Sequence, residues 1–323
     1  MKARGWLISP SADFWFVSAA ASGGLLVAIV FILLHGDREF DWLDLVFSEL
    51  HLGATYDAIL RRRVWRRLPV DVVVVPLIIL ALTYALVETG QSLSITTITI
   101  YAAIWHRGRQ NLGVARFYQR QAGGPLSPAH SRLFSGAIYA PMGAALLLYN
   151  HLAPDQYEGD PYYPVTIGAV VAWGAGVIAL GCVVAYAVWI WRCRNQSQSL
   201  HPGELWVVLA HAVAFGSCYV FGATHASFIF VLTVHHEMQY LYFTYAVARR
   251  PLADGKKKDF LLRGLRFEIR FAAVYALSPL LGLAGALSSR WFHLEWLAPL
   301  GVGGLFCHYW LDGRIWTRRA MVS

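Results

Sequence analysis

Five histidines carry the chemical interest of this sequence: His51, His106, His235, His236 and His308, each inside a long apolar stretch. An ionisable side chain in such a place is costly in hydrocarbon and as a rule faces a bundle interior or a watery cavity. Carboxylates and amides recur around these histidines at helical spacing. His308 and Asp312 are four apart, as are His106 and Gln110, and His235 and Gln239, so each pair shares a helix face. Glu237 directly follows the paired histidines, where it could ligate, pair with an arginine or face outward. Asp57 comes six residues after His51, about 240° further round a helix after one full turn, so its natural partner is Arg61. Imidazole suits zinc, copper, iron and nickel, and histidine mixed with carboxylate around open positions suits non-haem iron. The competing reading is a layer of neutral imidazoles that bond one another, as packing or as a proton relay.

The expectation is therefore a metal centre drawing on His51, His106, His235, His236, His308 and Asp312. Asp312 would serve as a ligand or as the acceptor that fixes an imidazole tautomer. Adjacent residues on a helix point about 100° apart, so His235 and His236 reach one site only if it is broad, as a two-metal centre is. Asp57, Arg109, Gln110, Glu237, Gln239 and Tyr240 are expected around it, as supporting or substrate-binding groups. Arg107 and Arg109 follow His106 directly and need a carboxylate such as Glu49, Asp57 or Glu237; otherwise they anchor a substrate carboxylate or headgroup.

The elements that must position these groups are membrane helices. The chain has 323 residues, 57% hydrophobic and only 14% charged, against about a quarter charged in soluble domains. That excludes an ordinary soluble enzyme and a disordered chain. The four cysteines form no close-spaced pair, which argues against a disulfide framework. Apolar stretches long enough to span read as about ten helices: 14–34, 43–60, 70–87, 95–117, 133–150, 165–191, 205–221, 226–247, 271–287 and 297–316. With the N-terminus in the cytosol and strict alternation, 25 of the 27 Lys and Arg residues fall on the inner side. So lopsided a bias is the positive-inside pattern. The net charge of +8 then reports topology rather than nucleic-acid binding. Both termini are expected in the cytosol, the whole chain 1–323 as a single transmembrane domain, and the bacterial inner membrane as its place. The basic amphipathic run Lys256–Phe267 fits the inner leaflet.

The same topology gives a depth to the histidines. His51, His106 and His308 each precede a cytosolic-side arginine by ten residues, and His236 precedes Arg249 by thirteen. At 1.5 Å per residue they would share a layer roughly 15–20 Å from the inner boundary. The remaining histidines read as unremarkable, with His130 and His201 in cytosolic loops and His211 ambiguous. Gly301, Gly303 and Gly304 would let helices approach closely beside His308, or would leave room for substrate.

Histidines spread singly over several helices resemble those of the integral-membrane non-haem iron oxygenases. The segment HLGATYD (His51–Asp57) resembles a histidine–glycine–aspartate box of the bacterial carotene-cleaving dioxygenases, in which four histidines hold one iron. The tight histidine clusters of the fatty-acid desaturase group are absent; HHEMQY (His235–Tyr240) is the nearest approach. The resemblance covers a handful of positions. It implies histidine ligation for His51, His106, His235 and His308 and says nothing of the substrate.

These readings combine into an all-α polytopic membrane bundle acting as a metal-dependent oxidoreductase. Its substrate would be a lipid or other hydrophobic small molecule, its metal one or two iron ions, and its reductant a cytosolic electron donor. Zinc, copper and haem are the alternative cofactors. The rival functions are a proton- or ion-coupled transporter with a polar His/Asp/Arg core and a haem-binding electron-transfer protein.

Overall fold

The computed structural model describes residues 5–35, 52–61, 64–124, 127–153, 156–157, 160–163, 165–195, 200–249, 273 and 298–315. His51, the basic run Lys256–Phe267 and the expected span 271–287 (apart from position 273) lie outside them. The described chain is helical: α1 (Pro10–Asp13), α2 (Ala20–His35), α3 (Leu52–Arg61), α4 (Val64–Arg67), α5 (Val75–Glu88), α6 (Ser92–Gln121), α7 (Pro128–Leu152), α8 (Ala169–Asn195), α9 (Pro202–Gly216), α10 (Ile229–Arg249) and α11 (Ala298–Ile315). Wider π-turns, Phe14–Ala19, Val70–Val74 and Ser217–Phe221, join α1 to α2, lead into α5 and extend α9. A two-residue antiparallel ladder, Gln156–Tyr157 with Asp160–Pro161, lies between α7 and α8.

Helix starts follow from local chemistry. Ser9, Ser127 and His201 each precede a proline at the first helical position, where the missing N–H costs nothing. Ser9 Oγ accepts from Ala12 N at 3.2 Å and Ser127 Oγ from His130 N at 3.1 Å. His201 caps with its ring, Nδ1 accepting the Gly203 N–H at 3.1 Å. At the end of α5, Gly90 takes φ +71°, so that Gln91 N reaches back to Leu86 O at 2.8 Å, which only glycine does without strain.

Among the described residues, five stretches are long and apolar enough to cross a membrane: Pro10–Leu34, Val70–Glu88, Pro128–Leu152, Ala169–Arg194 and Pro202–Phe221. Their apolar side chains point outward, with Val170 88%, Leu33 78% and Leu77 61% exposed. Polar groups are buried beside the apolar core, among them Asp13, Asn111, His130, His235, Gln239 and His308, all fully buried. Water selects the opposite arrangement; polar inside and apolar outside is what hydrocarbon selects.

The described residues form two compact units, 1–41 with 107–243, and 42–106 with 244–323. The first unit packs α7 along α8 and sets α9 against α7, α2 and the Phe14–Ala19 turn. Gly24 meets the backbone of Val231 so closely that a Cβ would lie 3.2 Å from Val231 Cα. The second unit packs α11 on α5 and α3. Its apolar centre is Ala58, Ile59, Val64 and Leu311, closed by Leu68, Val72 and Trp310. Gly303 brings α11 onto α5, since a Cβ there would lie 2.8 Å from Leu80 Cδ2 and 3.5 Å from Leu80 Cα. Nothing stands within 4 Å of such an atom at Gly301 or Gly304, so among these glycines close packing belongs to Gly303.

Candidate metal centre

The second unit gathers three of the expected residues. His106 comes from α6, and His308 and Asp312 come from successive turns of α11. One ligating atom from each lies within 4.8 Å of the others, and all three residues are buried. Asp312 Oδ2 is 3.8 Å from His106 Nε2 and 3.7 Å from His308 Nε2. These separations exceed a hydrogen bond and approach those of ligands sharing one ion. With bonds of about 2.1 Å, neighbouring ligands of one ion stand about 3.0–3.4 Å apart at octahedral or tetrahedral angles. The two carboxylate–imidazole separations must therefore shorten by about half an ångström, and the widest pair of this group by more than an ångström. The rings of His106 and His308 meet edge-on with centroids 4.9 Å apart, and Tyr309 stacks on His106 at 4.5 Å. The donor set, two imidazoles and one carboxylate, fits a transition metal and in particular the facial arrangement used by non-haem iron.

Thr55 on α3 completes the group and was missed by sequence reasoning. Its hydroxyl donates to Asp312 Oδ1 at 2.6 Å and stands 2.9 Å from His308 Nδ1. A threonine inside an apolar helix usually bonds its own backbone, as Thr97 and Thr99 do, so nothing in the sequence set Thr55 apart. Asp57 is buried on the same helix, and the Arg61 side chain expected beside it lies outside the described residues.

The other expected residues belong to the first unit, where amides organise them. Asn111 Nδ2 donates to Arg107 O at 3.0 Å, which fixes the amide so that Oδ1 accepts. Into that oxygen point His235 Nε2 and Gln239 Nε2, both at 3.0 Å. Gln110 Nε2 donates to His236 O at 2.9 Å and to Gln239 Oε1 at 3.2 Å. His236 and Tyr240 are buried, and Glu237, 1% exposed, does not face outward. Arg109 donates to the Tyr139 hydroxyl at 3.0 Å.

Of the two histidines read as loop residues, His130 proves helical, while His201 is the N-cap residue before α9 and is buried. His130 sits in the first turn of α7, fully buried, with Nε2 2.6 Å from Glu204 Oε1. The same oxygen accepts from Tyr186 OH at 2.8 Å and from Gln119 Nε2 at 3.0 Å. Four helices thus meet on one carboxylate. His201 lies between Trp6 and Tyr118, at ring separations of 4.3 and 4.7 Å. Burial pushes its pKa below the ordinary 6.5, against the opposing pull of Asp13 and Glu204. His211, ambiguous in the sequence, is fully buried and bonded through Nε2 to Ile138 O at 2.9 Å. Ile138 lies three residues before Pro141 in α7, where the ring loosens the helical ladder and a neighbouring helix can supply the donor. Asp13 is held by Leu7 N, Ile8 N and the hydroxyls of Tyr118 and Tyr242.

Fold and site together define an all-helical chain with membrane-length apolar helices and a buried His–His–Asp group able to take a metal ion. No protein-family model, curated protein or solved structure matches it.

Proposed function

We propose that this chain is an integral-membrane, metal-dependent oxidoreductase that oxidises a lipid-soluble substrate with dioxygen at His106, His308 and Asp312. One observation carries the reading: two imidazole rings and a carboxylate oxygen converge within 4.8 Å inside a unit whose outer face is apolar. An ion there would supply Lewis acidity and an open position for an oxidant. The chain's own residues hold it, exclude water and present apolar walls to a substrate entering from the lipid. Iron is the first choice for this donor set, with zinc and copper behind it. About ten spans, cytosolic termini and a bacterial inner membrane complete the proposal, together with a cytosolic electron donor where the reaction needs one. His235, His236 and Glu237 are buried in the first unit, and His51 stays a candidate ligand on its sequence position alone.

The haem alternative draws no support from the His106–His308 pair. Axial nitrogens at about 2 Å on either side of an iron put imidazole centroids about 6 Å apart, and these stand at 4.9 Å. The carrier alternative does have an observation behind it, the buried Glu204–His130–Tyr186–Gln119 cluster, since intramembrane acids and histidines also serve proton paths.

Elemental analysis of the purified protein tests the proposal. About one equivalent of transition metal is expected, lost in His308→Ala and kept in His225→Ala, which changes an exposed histidine. Metal-free wild type, or full metal in both variants, overturns it.

A further inference from the structure

We propose that Thr55 is the positioning residue of this centre, fixing His308 as the Nδ1–H tautomer and leaving Asp312 a single oxygen with which to ligate. The inference rests on the metal-centre reading and specifies how that centre is set. A threonine hydroxyl owns one proton and two lone pairs, whereas a carboxylate can only accept. The 2.6 Å contact to Asp312 Oδ1 therefore takes the Thr55 proton, and such a charge-assisted bond is short and strong. Toward His308 Nδ1, 2.9 Å away, the hydroxyl can then offer only a lone pair. Nδ1 must carry the hydrogen, and a neutral imidazole has only one. His308 Nε2 is left with its lone pair, on the side of the ring 3.7 Å from Asp312 Oδ2. Thr55 is fully buried, so bulk water does not compete for either bond.

The second consequence concerns coordination number. Asp312 Oδ1 is engaged by Thr55, while Oδ2 is the oxygen that stands 3.8 and 3.7 Å from the two Nε2 atoms. A carboxylate held this way ligates through one oxygen. Among the described residues, two imidazoles and one oxygen then supply three positions of a metal ion. Without the hydroxyl, Asp312 could swing to use both oxygens, and His308 could adopt the other tautomer with no ligating pair at Nε2. The centre would then bind more weakly and with fewer open positions.

Cobalt(II) is the probe, because its visible absorption reports coordination number. Purified wild type, Thr55→Ser and Thr55→Val are titrated with it, and helicity and size-exclusion behaviour check that each is folded. Loss of a group that orients a ligand typically costs 10–100-fold in metal affinity. Thr55→Val, which keeps the shape and drops the hydroxyl, is expected in that range with a changed cobalt band. Thr55→Ser restores the hydroxyl and is expected to recover both affinity and band. Wild-type-like binding by Thr55→Val, or equal loss in Thr55→Ser, overturns the inference while leaving the metal reading intact. No cobalt uptake by wild type overturns the metal reading and this inference with it. If Thr55→Val does not fold, the imidazole 15N shifts of the wild type decide: a hydrogen on His308 Nδ1 is expected, and one on Nε2 refutes the assignment.

Discussion

Replacing Glu204 should make a second substitution change sign. Glu204 Oε1 accepts from His130, Tyr186 and Gln119 at 2.6, 2.8 and 3.0 Å, and the carboxylate is 1% exposed. In the intact protein, Tyr186→Phe removes one hydrogen bond to a charged acceptor, worth about 1.5–3 kcal/mol. Glu204→Ala removes the acceptor and strands three buried donors, and breaking a buried pair from one side costs about 3–5 kcal/mol. In that background the Tyr186 hydroxyl is a liability of about 1–3 kcal/mol. Tyr186→Phe should then stabilise, because it deletes a buried donor with nothing to give to. The coupling energy of the cycle is the difference of the two effects, about 3–5 kcal/mol at mid-range.

The assay is reversible unfolding in micelles followed by tryptophan fluorescence, for which the chain has 13 tryptophans. All four corners of the cycle are measured at one pH and detergent concentration. Tyr186→Phe must lower the unfolding free energy of the wild type and raise that of Glu204→Ala. Destabilisation in both backgrounds by the same amount would refute the reasoning, since it would mean that the Tyr186 hydroxyl stabilises through a partner other than the Glu204 carboxylate.

Two further outcomes follow from single positions. The His201 pKa is depressed by burial, so its contribution to stability is complete above the ordinary value of 6.5 and is lost as pH falls below it, because the unfolded chain then binds the proton first. His201→Asn keeps a capping acceptor for α9 and should flatten that part of a stability–pH profile; an unchanged slope in the variant sinks the assignment. Gly303→Leu drives a side chain against Leu80, whose Cα would lie 3.5 Å from the new Cβ, at a cost of about 1–3 kcal/mol. A Cβ at Gly304 would meet nothing within 4 Å, so Gly304→Leu serves as its control in the same thermal scan; equal shifts in the two would refute the close approach.

What the sequence makes visible is governed by spacing within one helix. His308 and Asp312 four apart, and an ionisable His106 in an apolar stretch, are readable without coordinates, and these three residues meet within 4.8 Å. Thr55 is not readable, because its partners lie 253 and 257 residues away and hydroxyls are common in apolar helices. The Glu204 cluster is hidden for a related reason. His130 and Glu204 flank apolar stretches that begin at 133 and 205, so hydropathy places them in loops. The Ser127–Pro128 and His201–Pro202 starts extend both helices outward by several residues, and that extension turns loop residues into buried first-turn residues. Start signals of this kind were available in the sequence; hydropathy alone outweighed them.

Whether a buried imidazole is poised to ligate is decided by its other nitrogen. In the second unit Thr55 takes up His308 Nδ1, leaving Nε2 toward Asp312 Oδ2. In the first unit the assignment runs the other way. His235 gives Nε2–H to Asn111 Oδ1, an oxygen identified by the amide nitrogen's bond to Arg107 O, and His211 gives Nε2–H to Ile138 O. Each of these rings has only Nδ1 left for any further partner. His106, His308 and His235, which hydropathy treats alike, are therefore chemically unlike. Those of α6 and α11 stand beside a carboxylate oxygen at ligand spacing, whereas His235 is tied through Nε2 into an amide network. Selection of residue type by burial cost explains why polar groups face inward in both units; only the hydrogen-bond partner of each ring separates a candidate ligand from a packing element.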